Sequence, residues 1–317
     1  MTGVPRRPRS RQYRRTATAL LLAGCTLLGA AACSDSSKPA PGAHGAGTGS
    51  PPPTTPQTGL AAGLKLPLSA YMETYEDNRT IERAADRLTH DCMARFGFTY
   101  NAPERTVNPA SIWDNTNMAR RYGLTDRSQV ERYGYDLPDE GWSPPPIPKM
   151  SAEELVMLTG RTEPKPDAPE VSTTQNGTAV PRGGCMGESL DKVGGQLDTS
   201  VPDRLDAESF DTAKADDRVQ QVIQQWSGCM AEKGYQVALP ADAFKLAPRA
   251  TGSGPSKEEI AVATADLDCK ERTGLVKVWF DVESEVQRKQ IEENQLALNQ
   301  TRERITAAVK SAASATS

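Results

Sequence analysis

The chain has 317 residues, a formal charge of −4, 25% charged residues and only 5% aromatic ones. That length allows one sizeable domain or two small ones, and a mean hydropathy of −0.57 predicts a modest core in which crosslinks carry weight. An acidic chain without a basic stripe is poorly suited to nucleic acid, so no nucleic-acid partner is expected.

Met1 to Arg15 holds six arginines and no acid, and an apolar run rich in Ala and Leu follows from Ala17 to Ala32. A basic start, a short apolar stretch and a small-residue end make an export signal. The run is too short to span a bilayer comfortably. Two cysteines sit where a lipoprotein signal places its acylated residue. Leu22-Ala23-Gly24-Cys25 has the better local pattern, whereas Ala30-Ala31-Ala32-Cys33 has the fuller apolar region and a polar segment after it. Lipidation at Cys33 leaves Cys92, Cys185, Cys229 and Cys269, an even set suited to an oxidising exterior, so Cys33 is favoured and Cys25 is the alternative. Without the six arginines, 31 basic residues face 41 acidic ones, a formal charge of −10. Membrane association is therefore expected from the lipid and not from surface charge.

Residues 34–63 are dominated by Pro, Gly, Ser, Thr and Ala and read as a disordered tether, with His44 incidental within it. Ile81, Ala85, Leu88, Cys92 and Phe96 then recur at helical spacing, predicting a helix over 80–96 with Cys92 on its buried face. Gly97 ends it. The stretch Cys92-Met93-Ala94-Arg95-Phe96-Gly97-Phe98 is echoed by Cys229-Met230-Ala231-Glu232-Lys233-Gly234-Tyr235. With the glycine at the left-handed C′ position, methionine and aromatic become the contacting pair of a Schellman cap, and each cysteine falls on the last helical turn. The repeat reads as a capped helix end carrying a crosslink site.

Residues 104–200 form an irregular middle segment, punctuated by Trp113, Tyr122, Tyr133-Gly134-Tyr135 and Trp142. Ser151 and Glu154 make a capping box for a short helix that Gly160 closes. Pro164 to Gly177 reads as a mobile loop, and Gly183-Gly184 brings Cys185 in on flexible backbone. Val219, Val222, Ile223, Trp226 and Met230 form the stripe of the helix bearing Cys229. A second capping box, Ser256 with Glu259, opens a helix bearing Cys269. The two helices suggest a hairpin clamped by Cys229–Cys269, a closure that contributes about 4 kcal/mol in the chain-entropy treatment. Cys92 with Cys185 is then the remaining pair, although four cysteines allow three connectivities. From Leu275 onward no Pro or Gly occurs, and the composition predicts a terminal helix on the order of 50 Å long. Beyond Gln287 only Ile291, Leu298, Ile305 and Val309 recur regularly, and the spacing of seven hints at a seam whose companions Asn294, Thr301 and Ala308 are weak, so this part reads first as a solvated helix end and alternatively as a partner-binding or self-pairing helix.

Chemistry-bearing patterns are sparse. His90 beside Asp91 and Cys92 fails as a ligand pair because His90 and Cys92 lie about 200° apart on a helix. Ser189-Leu190-Asp191-Lys192 matches the Ser-x-x-Lys of penicillin-binding enzymes without its companion motifs. Asp266 and Asp268 share a helix but not a face. No catalytic residue, metal site or cofactor is expected.

Several stretches together resemble exported, uncharacterised lipoproteins of high-GC actinobacteria. They are Tyr133-Gly134-Tyr135 before Pro138, Pro181-Arg182-Gly183-Gly184-Cys185, the doubled helix end, and Asp266-Leu267-Asp268-Cys269 leading to Leu275-Val276-Lys277-Val278-Trp279. The resemblance covers most of the folded part. It implies an extracytoplasmic address and a cysteine framework, and brings no activity.

The expected protein is mainly α: a disulfide-supported helical domain with an irregular middle segment and a long C-terminal helix. Its expected segments are a signal at 1–33, a tether at 34–63, a first half at 64–200, a helical hairpin at 201–273 and the terminal helix at 274–317. The expected role is a lipid-anchored, non-catalytic interaction or accessory subunit of the cell envelope, meeting a protein partner through the C-terminal helix. A ligand-binding lipoprotein with a pocket lined by the mid-chain aromatics, and a wall-directed enzyme using carboxylates, are the alternatives.

Overall fold

The computed structural model describes residues 55–103, 118–137, 148–165, 167–247 and 254–315. The signal, Cys25, Cys33, His44, Trp113 and Trp142 lie outside them. The described residues belong to one compact unit, His44–Ser317. They are mainly helical, as the sequence predicts, and no helix among them is long and apolar enough to cross a membrane.

Helix α1, Tyr75–Arg95, starts five residues before the predicted Thr80. Its Ncap is Thr74, whose hydroxyl accepts from the Asp77 N–H while the Asp77 carboxylate accepts from Thr74 N–H, a reciprocal box that satisfies two orphan donors. The polar run Tyr75 to Arg79 hides this start from apolar periodicity. Helix α2 is Arg127–Tyr133, capped by Asp126, and α3 is Ala152–Thr159 with the expected Ser151/Glu154 box and left-handed Gly160. The expected loop ending at Gly177 instead contains a hairpin. Its strands β1 (Thr174–Gln175) and β2 (Thr178–Ala179) are antiparallel, with Gln175 opposite Thr178. Asn176 and Gly177, both at positive φ (51° and 78°), form its two-residue turn. Left-handed backbone at both turn positions matches the twist of the flanking strands, and Asn-Gly accepts it at little cost.

Cys185 is on a helix, not on flexible backbone. Helix α4, Gly184–Lys192, begins at two glycines that close approach requires. A Cβ on Gly184 would lie 2.5 Å from the Leu158 carbonyl, and its φ is +64°. The glycines thus let the start of α4 press against the end of α3. Helix α5 (Ser200–Ala215) and α6 (Asp217–Glu232) meet at Asp216, and α7 spans Lys257–Thr273. Ser256 caps α7 as expected, accepting from Glu259 N–H at 3.0 Å. The box stays open, because the Glu259 carboxylate accepts from Tyr135 N–H instead.

Helix α8, Leu275–Ala315, is the expected long helix, with a break at Asn294 (φ −119°, ψ 18°). The Asn294 side-chain amide donates to the Gln290 carbonyl at 2.8 Å, serving an acceptor at the break. Both parts pack inside the unit. Leu275, Val276, Trp279 and Val282 join the main core with Trp226 and Met230. Beyond the break, Leu298 packs with Leu68 and Leu205, and Ala308 and Ala312 pack with Ile81, Ala84 and Val193. The seam Leu298, Thr301, Ile305, Ala308 is therefore buried by the chain itself. Residues 55–63, assigned to the tether by composition, also pack. Ala61 is fully buried in the main core, and Leu60 N–H donates to the Thr125 carbonyl at 2.7 Å.

Candidate functional site

Helices α1 and α6 end alike. Gly97 and Gly234 have φ of +85° and +92°. Phe98 N–H reaches back to the Met93 carbonyl at 3.1 Å, and Tyr235 N–H to that of Met230 at 2.9 Å, each with the shorter glycine bond that completes a Schellman motif. Met93 is buried with Phe98 against its cluster, and Met230 with Tyr235 against the main core. One turn back sit the cysteines. Cys92 bonds to Cys185 and Cys229 to Cys269, with Cα separations of 5.5 and 5.6 Å. The second bridge clamps α6 to α7 as the hairpin reading expects. The first joins the end of α1 to the second residue of α4.

The residues weighed for chemistry are scattered and already occupied. His90 is exposed and bonded to its neighbour Asp91. The Ser189 hydroxyl is buried, donating to the Cys185 carbonyl at 2.7 Å and accepting from Thr89 at 2.9 Å. Lys192 instead pairs with Glu188 at 2.5 Å, so no serine–lysine dyad forms. Asp268 lies on the surface between Arg127 and Lys233, whose hydrogen bonds outweigh partial burial and hold its carboxyl below the usual range. Among the described residues no group of three or more His, Cys, Asp and Glu could hold a metal ion.

Two buried polar networks are new to the structure. In one, Arg121 reaches between α5 and α8. Its Nε donates to Glu283 Oε1 at 3.0 Å, and its terminal nitrogens donate to Asp206 at 3.0 and 2.8 Å. Tyr122 donates to Glu283 Oε2 at 2.6 Å, and Ser209 Oγ lies 3.0 Å from Oε1. Gln287 extends the chain, donating to Ser209 at 3.0 Å and accepting from Leu68 N–H at 2.9 Å. Burial opposes the Arg121 charge, but Glu283 and Asp206 outweigh it and hold the guanidinium above its ordinary range. Burial raises Tyr122, with the Glu283 charge adding to it. Burial also raises Asp206, against the pull of Arg121. One cation thus serves two carboxylates.

The other network centres on Asp266 and Lys270, both 1% exposed at the side chain. Asp266 accepts from Lys270 Nζ at 3.0 Å, Trp226 Nε1 at 2.9 Å and Tyr135 OH at 3.3 Å. Burial lowers the Lys270 amine against the opposing pull of Asp266, and burial raises the Tyr135 phenol with Asp266 reinforcing it. Tyr122 and Tyr135, expected to line a pocket, therefore serve the interior. A cleft of about 260 Å³ does exist elsewhere, lined by residues including Met93, Tyr100, Asn101, Lys149, Met150 and Leu158.

In both networks each carboxylate accepts from at least two side chains of the chain itself: Asp206 from Arg121 and Gln287, Glu283 from Arg121, Tyr122 and Ser209, and Asp266 from Lys270, Trp226 and Tyr135. A signal for the second was present in the Asp266/Lys270 spacing of four, set among Val262, Ala263 and Leu267 on one helix. The first had no comparable signal, because Tyr122 and Glu283 are 161 positions apart. The fold and these sites define a mainly helical, disulfide-bonded domain. No family model, curated protein or solved structure matches the chain.

Proposed function

We propose that the protein is a lipid-anchored cell-envelope subunit, held on the extracytoplasmic face of the membrane at Cys33, that works by binding other proteins and not by catalysis. The observation that carries this reading is the engagement of its buried acids: Asp206, Glu283 and Asp266 all serve partners within the chain. Groups so engaged hold helices together, and a general acid or base needs a free lone pair or proton within reach of a substrate. Two disulfides with complementary positions on packed helices support an oxidising compartment. The export signal and the resemblance to actinobacterial lipoproteins support the address.

Partner contact through α8 uses its outer face, because the inner seam is occupied by α1 and α5 residues. Leu296, 76% exposed just past the break, stands on that outer face. A photo-reactive amino acid placed at Leu296 in living cells is expected to crosslink to one envelope protein reproducibly, and co-expressed wild-type chain is expected to compete the product away while a co-expressed Leu296→Glu chain does not. Absence of any product from Leu296 and from the exposed Met186 and Phe244 sites would remove the reading.

A further inference from the structure

The two disulfides differ in the setting of one sulfur. Cys229 and Cys269 both lie in the last turns of their helices, α6 and α7, where the helix end is negative. Neither sulfur gains from becoming a thiolate there. Cys92 is likewise near the C-terminal end of α1, where the helix end is negative, and the nearby Glu188 carboxylate, 3.7 Å from its sulfur, is paired with Arg95 and Lys192. Cys185 differs. It is the second residue of α4, at the positive end of that helix, where a thiolate is stabilised. The surroundings differ as well. Cys229–Cys269 is enclosed by a main core of 20 buried residues, whereas Cys92–Cys185 belongs to a cluster of six, both counted among the described residues. Local opening costs less where fewer apolar groups must separate.

We propose that Cys92–Cys185 is a redox-responsive latch, opened by a thiol reductant while Cys229–Cys269 stays closed. Both sulfurs of the latch are buried, so attack follows a local separation of α4 from the end of α1. A reductant thiolate attacks the Cys92 sulfur. The S–S electron pair leaves on the Cys185 sulfur, the better-stabilised thiolate, and Cys92 carries the mixed disulfide. With a dithiol, the second thiolate attacks the reductant's own sulfur, forms the reductant's disulfide and releases Cys92, which takes up a proton. Two electrons pass from the dithiol to the protein. The opened form unclamps Met93, Phe96, Met157 and Leu158, the apolar residues packed around the bridge.

The test uses the full oxidised chain under native conditions, equilibrated with dithiothreitol buffers of graded poise, acid-quenched, and alkylated with light and then heavy maleimide before and after denaturing reduction. Peptide mass spectrometry reads each pair separately. Cys92–Cys185 is expected to reduce at least tenfold more readily in equilibrium constant, about 30 mV for a two-electron couple, with tryptophan fluorescence showing the main core intact. A parallel trap with glutathione is expected to leave the adduct on Cys92. Simultaneous reduction of both pairs, prior reduction of Cys229–Cys269, or an adduct found chiefly on Cys185 would overturn the proposal.

Discussion

Replacing Arg121 with methionine isolates the energetics of the larger buried network. The change keeps much of the side-chain volume and removes the one cation shared by Asp206 and Glu283. Arg121 and Asp206 are 11% and 12% exposed at the side chain and Glu283 not at all, so the carboxylates cannot regain full hydration in place. Breaking a buried pair from one side costs about 3–5 kcal/mol. Loss of the guanidinium over the Phe210 ring, 5.6 Å to its centroid, adds roughly 0.5 kcal/mol, while the partial exposure of Arg121 and Asp206 pulls the sum back. We expect about 4 kcal/mol at pH 7, a fall in Tm of roughly 10 °C for a domain of this size. The pH dependence has a definite sign. Asp206 is already raised in the folded state by burial, with Arg121 the chief opposing influence. Without Arg121 it rises further above its ordinary value of 3.8. A carboxyl raised on folding contributes stability that is present below its unfolded pKa and lost as pH rises through its folded one. The deficit of the variant relative to wild type therefore shrinks as pH falls toward 3.8. Urea unfolding followed by tryptophan fluorescence at a series of pH values measures it. A loss below about 1 kcal/mol, the size typical of an exposed pair, or a deficit that does not change with pH, would refute the reasoning.

Three further outcomes are expected. Cys229→Ala with Cys269→Ala opens a bridge of sequence separation 40 and should cost about 4 kcal/mol in the chain-entropy treatment, read as a drop in Tm in matched scans. Gly184→Ala and Gly234→Ala should differ: a Cβ at Gly234 meets nothing within 4 Å, whereas at Gly184 it meets Leu158 backbone at 2.5 Å. The expected loss is a left-handed penalty of about 1 kcal/mol at Gly234, and that penalty plus a steric one, roughly 3 kcal/mol or more in all, at Gly184; equal urea midpoints would contradict this. Lys270→Met alone should cost about 3–5 kcal/mol by stranding the Asp266 charge, while the double variant with Asp266→Asn, which removes that charge and keeps an acceptor for Trp226 Nε1, should recover part of the loss, as a double-mutant cycle would show.

The parts of this fold legible in sequence are those set by local physics. Helix ends at Gly97 and Gly234 and the Ser151 box follow from residues within one or two turns of each other, and the Cys229–Cys269 hairpin from two neighbouring helices each carrying one cysteine. What escaped depends on partners far along the chain. Glu259 looks like the third position of a capping box, and Tyr135, 124 residues away, claims it instead. Nothing near Arg121, Asp206 or Glu283 in the sequence announces their mutual burial. The Asn176-Gly177 turn was a local signal outweighed by the proline-rich composition around it. Asn294 shows the reverse: helix-forming neighbours concealed a break between the part of the helix that joins the main core and the part that carries Leu298 and Ala308. Composition likewise placed residues 55–63 in the tether, and only their burial against Thr125 and the main core reveals them as part of the domain.

The anchor is the claim on which the proposed role depends, and mass spectrometry of the mature N-terminal peptide from membranes tests it most directly. The account predicts a peptide beginning at Cys33 with a diacylglyceryl mass addition, and release of the protein from the membrane fraction on Cys33→Ala. An unmodified N-terminus, or a protein that stays soluble with Cys33 intact, would contradict it.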